Sequence, residues 1–116
     1  MKTEVVEFPK IDEEVTYYIG TSAKDNFAVI DEGDDDDIWF HANNISSCHI
    51  IAYNLPQLTK KEKQKVIKRG AFICKQNTSK IKSLQNIEII YTKVKNVSKT
   101  DILGTVNITN EKKIIV

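Results

Sequence analysis

The chain has 116 residues, of which 41% are hydrophobic and 28% are charged. This length and balance predict one domain over residues 1–116 with a hydrophobic core, and they exclude a disordered chain. No apolar run approaches the length of a membrane span, and the N-terminus has no signal-peptide core, so we expect no membrane partner.

Charge is divided unevenly along the chain, although the formal net charge is only +1. Residues 1–37 carry three Lys against twelve Asp and Glu, whereas residues 38–116 carry fourteen Lys and Arg against four Asp and Glu. The two parts could pair with each other on folding, or the basic part could offer a surface to an anionic partner. Charge alone leaves both interpretations open.

The cysteines and histidines are few and do not match a known metal site. Cys48 and Cys74 are not in a C-x-x-C pair, which favours a reduced, intracellular protein that we place in the cytoplasm. Zinc would need these two cysteines together with His41 and His49, and their spacing fits no standard finger or ribbon. We therefore predict no metal and no cofactor.

The first third of the chain predicts strands followed by an acidic loop. Residues 4–8 and 14–19 are rich in β-branched and aromatic residues and read as short strands, and 27–30 is a third possible strand. Like charges repel within residues 31–37, and Gly33 allows a turn, so we expect a solvated loop there.

Residues 37–42 alternate as a strand with two different faces. The apolar face, which should lie against a core, carries Ile38, Phe40 and Ala42. The other face carries Asp37, Trp39 and His41. After a short polar loop, residues 48–53 are predicted to form the next strand. If the two strands pair antiparallel, His41 and His49 could share a face.

The clearest helix is predicted at 60–76. Thr59-x-x-Glu62 is a capping box before it, and Asn77 is a plausible stop after it. The apolar stripe comprises Val66, Ile67, Gly70, Ala71, Ile73 and Cys74. The opposite arc holds Lys61, Lys65, Lys68, Arg69 and Lys75, with Phe72 among them. A glycine inside the stripe is tolerable if another element packs closely there.

The last third predicts more strands. Residues 87–94 form the most strand-like run, 96–100 a basic polar turn, and 104–109 with 113–116 a terminal hairpin. Strands, one main helix and further strands predict an α+β fold, with the helix on one face of a mostly antiparallel sheet.

Three functions remain open from the residues alone. Nucleic-acid binding is favoured by the basic helix face and by Trp39 beside His41, unless Trp39 is core and the lysines are only solvated. A nuclease or other RNA-processing enzyme would use His41 and His49, but Asp37 is about 13 Å from His41 along the strand, too far to orient it. A protein–protein adaptor would use the acidic loop 31–37.

Residues 37–51 resemble the signature of the NFACT-R domain family. They read D-I-W-F-H-A-N-N-I-S-S-C-H-I-I, which matches acid–x–Trp–Phe–His, a short polar loop, then His and an apolar strand. The helix at 60–76 and the later strands follow the family's order. The resemblance implies a small stand-alone member that binds tRNA or ribosomal RNA in translation without catalysis, with the ribosome as a candidate partner.

The resemblance also implies which residues would recognise the RNA. Trp39 would stack or shape the pocket floor, His41 and His49 would be polar contacts, and Asp37 would orient His41 or a base edge. The residues expected to neutralise phosphates are Lys61, Lys65, Lys68, Arg69, Lys75, Lys93, Lys95 and Lys99.

Overall fold

The computed structural model describes residues 1–116 and contains eight strands and two α-helices. The strands are β1 (Lys2–Phe8), β2 (Glu13–Gly20), β3 (Ile38–Ala42), β4 (His49–Tyr53), β5 (Glu88–Lys93), β6 (Val97–Lys99), β7 (Val106–Ile108) and β8 (Lys112–Ile115). The helices are α1 (Ala23–Glu32) and α2 (Lys60–Gln76). Neither is long and apolar enough to cross a membrane.

Six strands form one sheet in the order β1-β2-β4-β3-β5-β8, and every neighbouring pair is antiparallel. Strands β6 and β7 form a separate antiparallel pair. The signature strands β3 and β4 therefore lie at the centre of the large sheet. The predicted α+β fold with a mostly antiparallel sheet is confirmed.

Helix α2 packs on one face of the sheet, as predicted. Thr59 accepts a hydrogen bond from the Glu62 amide at 3.2 Å, and the Glu62 carboxylate accepts one from the Thr59 amide at 2.9 Å. The six predicted stripe residues are its buried residues. A side chain at Gly70 would overlap the ring of Phe40, so the glycine lets the helix approach the sheet closely.

Helix α1 covers the opposite face, where a strand at 27–30 was expected. That prediction is wrong: Ser22 caps a helix by accepting from the Asp25 amide at 3.1 Å. A short apolar run fits a buried strand and a short helix equally well, so periodicity could not separate them. The acidic segment is also shorter than expected, because Asp31 and Glu32 belong to the helix.

The predicted terminal hairpin is also wrong. Strand β7 pairs with β6, with Val97 opposite Ile108, while β8 pairs with β5, with Ile90 opposite Lys113. Most of the predicted basic turn at 96–100 is strand β6. Tertiary packing explains the outcome, because β7 packs Val106 and Ile108 against the cluster on the α1 side, whereas β8 packs Ile114 against the cluster on the α2 side.

Candidate nucleic-acid interface

The signature residues lie almost entirely inside the protein. Asp37 is 4% exposed, Trp39 1% and His49 2%. Trp39 belongs to an apolar cluster with Val29 and Ile30 of α1. An indole covered in this way offers no face to a base, so the burial argues against the predicted stacking by Trp39 and against direct contacts by Asp37 and His49. The other predicted role of Trp39, shaping the floor of a pocket, stays a prediction.

Asp37 holds the loop before β3 in place. Its Oδ2 accepts a hydrogen bond from the Asp34 amide at 2.9 Å, and its Oδ1 accepts one from the Leu55 amide at 3.1 Å. One carboxylate therefore ties the acidic loop to the chain leaving β4. This is a structural role, and neither hydrogen bond involves His41, which Asp37 was expected to orient.

Trp39 and His49 form a buried hydrogen bond between the two central strands. The Trp39 indole Nε1 donates to His49 Nδ1 at 3.1 Å, which requires an unprotonated Nδ1. Burial, together with the nearby His41, lowers the pKa of His49 to about 3. The ring is therefore neutral under ordinary conditions and serves as an acceptor in the core.

His41 is the only one of the four signature residues that reaches the surface. Its ring lies parallel to Trp39 with centroids 5.7 Å apart, and edge-on to His49 at 4.9 Å. Its Nδ1 donates to the Ala42 carbonyl at 2.6 Å, and burial lowers its pKa. The expectation that the two histidines share a face is confirmed.

Helix α2 presents at its surface the cations that the sequence placed there, all of them exposed except Lys75, which is partly buried. With neighbouring segments it forms a groove of about 630 Å³, hereafter the α2 groove. The groove is lined by Phe8, Lys65, Lys68, Arg69, Phe72, Lys75, Ile115 and Val116. Phe72 is 41% exposed, and the guanidinium carbon of Arg69 lies 5.7 Å from the centre of its ring. An exposed aromatic ring surrounded by cations can stack on a base and hold its phosphates.

Several predicted phosphate contacts lie elsewhere or are already paired. Lys61 is exposed on α2 but outside the groove. Lys93 and Lys95 reach Asp36 at 3.3 and 3.9 Å, and Lys99 pairs with Asp31. The charge division is thus partly neutralised within the fold, by Asp36 of the acidic loop and by Asp31 of α1. The α2 lysines form no ion pair, and their contact with an anionic partner stays a prediction.

Sequence reasoning missed the groove residues outside α2. Phe8 ends β1, whereas Ile115 and Val116 end the chain, and only the tertiary fold brings them beside Phe72. No local pattern could have indicated this meeting. The described chain has no group of three or more His, Cys, Asp or Glu placed to hold a metal ion.

The profile of the NFACT protein RNA binding domain matches residues 5–110. The chain belongs to this family. The resemblance noted in the signature is therefore confirmed, and RNA is the kind of partner that this NFACT-R family indicates.

Curated relatives support the same assignment. Coiled-coil domain-containing protein 25 of Mus musculus is 31% identical over 90 residues, covering 73% of this chain and 41% of the relative. The homolog from Dictyostelium discoideum is 30% identical over 101 residues, covering 83% of this chain and 47% of the relative. The chain thus spans less than half the length of these relatives.

A solved structure shows the same fold. It is the C-terminal part of the fibronectin/fibrinogen-binding protein from Streptococcus suis, with a TM-score of 0.75 and 17% identity, covering 88% of this chain and 40% of that one. At this identity the similarity concerns the fold alone.

Proposed function

We propose that this NFACT-R protein binds structured RNA in the α2 groove and does not catalyse a reaction. The observation that carries the proposal is the exposed Phe72 ring lying among four cations in one concave surface. Phe72 stacks on an accessible base, and Lys65, Lys68 and Lys75 contact the phosphates around it.

Arg69 takes part although it has an intramolecular partner. Its guanidinium lies 3.4 Å from the Glu4 carboxylate, and both side chains are substantially exposed. Exposed ion pairs contribute at most about 1 kcal/mol, so a phosphate can replace the carboxylate at small cost. The same guanidinium remains close enough to Phe72 to support a stacked base.

The RNA we propose is tRNA or ribosomal RNA, bound during translation in the cytoplasm, with the ribosome as the candidate partner assembly. The family supports RNA as the partner. The choice among RNAs follows from the resemblance to the NFACT-R signature, and the groove by itself favours none of them.

The two alternative functions receive less support. A nuclease using both histidines would need His49 at the surface, whereas His49 is 2% exposed and its Nδ1 accepts from Trp39. An adaptor using the acidic loop would have to compete with Lys93 and Lys95 for Asp36.

Fluorescence anisotropy with labelled tRNA tests the proposal. Phe72→Ala should weaken binding by about 5- to 100-fold, the usual range for losing one stacked base. If about four phosphates are contacted, log affinity should fall with log salt at a slope near −3 to −4, and Lys68→Ala should reduce that slope by about 1.

Lys82→Ala is the matched control, because Lys82 is an exposed lysine outside the groove. Its affinity and salt slope should equal those of the wild type. If Phe72→Ala and Lys68→Ala both bind tRNA with wild-type affinity, the α2 groove is rejected as the interface. If the affinity does not depend on salt, the phosphate contacts are rejected.

A further inference from the structure

A second concave site lies at the first two turns of α2 and shares no residue with the α2 groove. It encloses about 320 Å³ between the helix, β5 and the start of β8. We call it the β5 pocket, and its lining includes Lys60, Lys63, Gln64, Tyr91, Asn96 and Lys112. This volume falls in the range of small-molecule sites, which begins at about 300 Å³.

The floor of the β5 pocket suits a flat ring. Ile38 and Ile67 line it and are only 4% and 6% exposed, so they form a fixed apolar base. The Tyr91 ring packs against Phe40 with centroids 6.2 Å apart and is half-buried. An aromatic ring held by the core in this way can receive a stacked base without losing much side-chain entropy.

Asn96 gives the pocket a defined hydrogen-bonding preference. Thr92 donates its hydroxyl hydrogen to the Thr109 carbonyl at 2.8 Å, so its oxygen can only accept from Asn96 Nδ2 at 3.1 Å. This network fixes the orientation of the Asn96 amide. Its Oδ1 has no hydrogen-bond partner in the protein, and because Asn96 lines the β5 pocket, this oxygen is available to accept from a ligand.

The cations around the β5 pocket suit a phosphate. Lys60, Lys63 and Lys112 are exposed and form no ion pair. The single carboxylate in the lining, Asp36, is already held by Lys93. An apolar floor, an aromatic ring, a fixed acceptor and free cations together provide a place for each part of a nucleotide.

We propose that the β5 pocket takes one unpaired nucleotide and prefers a base with an exocyclic amino group over uracil. The amino group donates to Asn96 Oδ1, whereas the O4 oxygen of uracil would face the same acceptor unfavourably. The inference rests on the proposed RNA-binding function, since the nucleotide would belong to the bound RNA, but the pocket can be tested with mononucleotides.

Titration with CMP and UMP, followed by two-dimensional NMR of the ¹⁵N-labelled protein, tests the pocket directly. The two nucleotides differ only at the base edge. We expect CMP to shift the side-chain amide signals of Gln64 and Asn96, and to bind about 3- to 10-fold tighter than UMP, as one added hydrogen bond allows. Inorganic phosphate should bind more weakly than either nucleotide.

Variants separate base recognition from charge. Asn96→Ala should bring the CMP-to-UMP affinity ratio to about 1, a change that loss of packing alone would not produce. Lys63→Ala should weaken both nucleotides and keep the ratio, and Lys82→Ala should alter neither. Equal affinities in the wild type, or no shifts at these amides at concentrations on the order of 10 mM, would overturn the inference.

Failure of this inference can be distinguished from failure of the proposed function. If tRNA binding depends on Phe72 but CMP leaves the β5 pocket unchanged, only the nucleotide site is wrong. If CMP binds as described but Phe72→Ala and Lys68→Ala leave tRNA affinity unchanged, the pocket stands and the α2 groove is wrong as the interface.

Discussion

The signature strand β3 and the outer face of α2 contain similar residue types in opposite settings. Around β3, an indole, two imidazoles and a carboxylate all have hydrogen-bond partners within the protein, and three of these four residues are at most 4% exposed. On α2, an aromatic ring and several cations face solvent without acidic partners, apart from the Arg69–Glu4 pair.

The residues by which the family is recognised are thus mostly buried, whereas the residues that we propose to contact RNA are at the surface of α2. Trp39 and His49 join the central strands and support α1, so the sheet carrying α2 depends on them. The α2 groove depends instead on surface residues of separate segments.

Trp39→Ala should cost about 3–5 kcal/mol of stability, because it removes a large buried side chain and leaves His49 without its donor. Urea denaturation measures the change. Phe72→Ala, an aromatic truncation on the surface, should change stability by only about 0.5 kcal/mol. A stable Trp39→Ala protein with lost RNA binding would mean that the indole contacts RNA after all.

Acid should destabilise the protein through His49. Its folded-state pKa of about 3 lies below the ordinary value, so the unfolded chain takes up the proton first as pH falls. The contribution of His49 to the free energy of unfolding is fully present above its unfolded-state pKa of about 6.5. Roughly 2 kcal/mol of it should be lost between pH 6.5 and 4.5. Denaturation at several pH values measures the slope.

His49→Asn is the matched variant for this pH dependence. The asparagine oxygen can accept from the Trp39 indole in place of Nδ1 but does not titrate. The variant should therefore lose less stability over the same pH interval. The loss that remains includes the contribution of His41, because burial also lowers the pKa of that side chain. An unchanged slope in His49→Asn would show that His49 is not the titrating group.

Gly70→Ala should destabilise the protein by about 1 kcal/mol, although alanine is the better helix former. The added methyl overlaps the Phe40 ring, and overpacking of about 1–3 kcal/mol exceeds the propensity gain of about 1 kcal/mol. Thermal or urea denaturation measures this. In the double variant, Phe40→Leu should reduce the stability loss caused by Gly70→Ala, because the smaller side chain makes room for the methyl group. If the losses of the two single variants simply add, the overlap with Phe40 is not the cause.

Asp36→Asn should have the smallest effect on stability. The carboxylate is highly exposed and its pairs with Lys93 and Lys95 contribute about 0.5 kcal/mol or less. Because two cations are released, tRNA affinity measured by anisotropy should be no lower than in the wild type. A marked loss of tRNA binding would instead assign the acidic loop a direct role in recognition.

Local patterns were reliable where neighbours in sequence also interact in the structure. The capping box at Thr59, the α2 stripe and the alternation of β3 are such cases, and each is confirmed. Helix α1 and the partner of β8 were missed, because a short apolar run does not reveal what will pack against it. The positions of Lys93 and Lys95 were predictable, but their pairing with Asp36 was not.

The sequence by itself determined the family, the α+β class and the cationic face of α2, because these follow from residue types at fixed spacing. The tertiary structure alone decided that Trp39 is buried and that Phe8 meets Phe72 in one groove. The physical reason is that a strand has two faces. Alternation shows that the faces differ, but only the packing of α1 on the second face shows that it, too, is excluded from water.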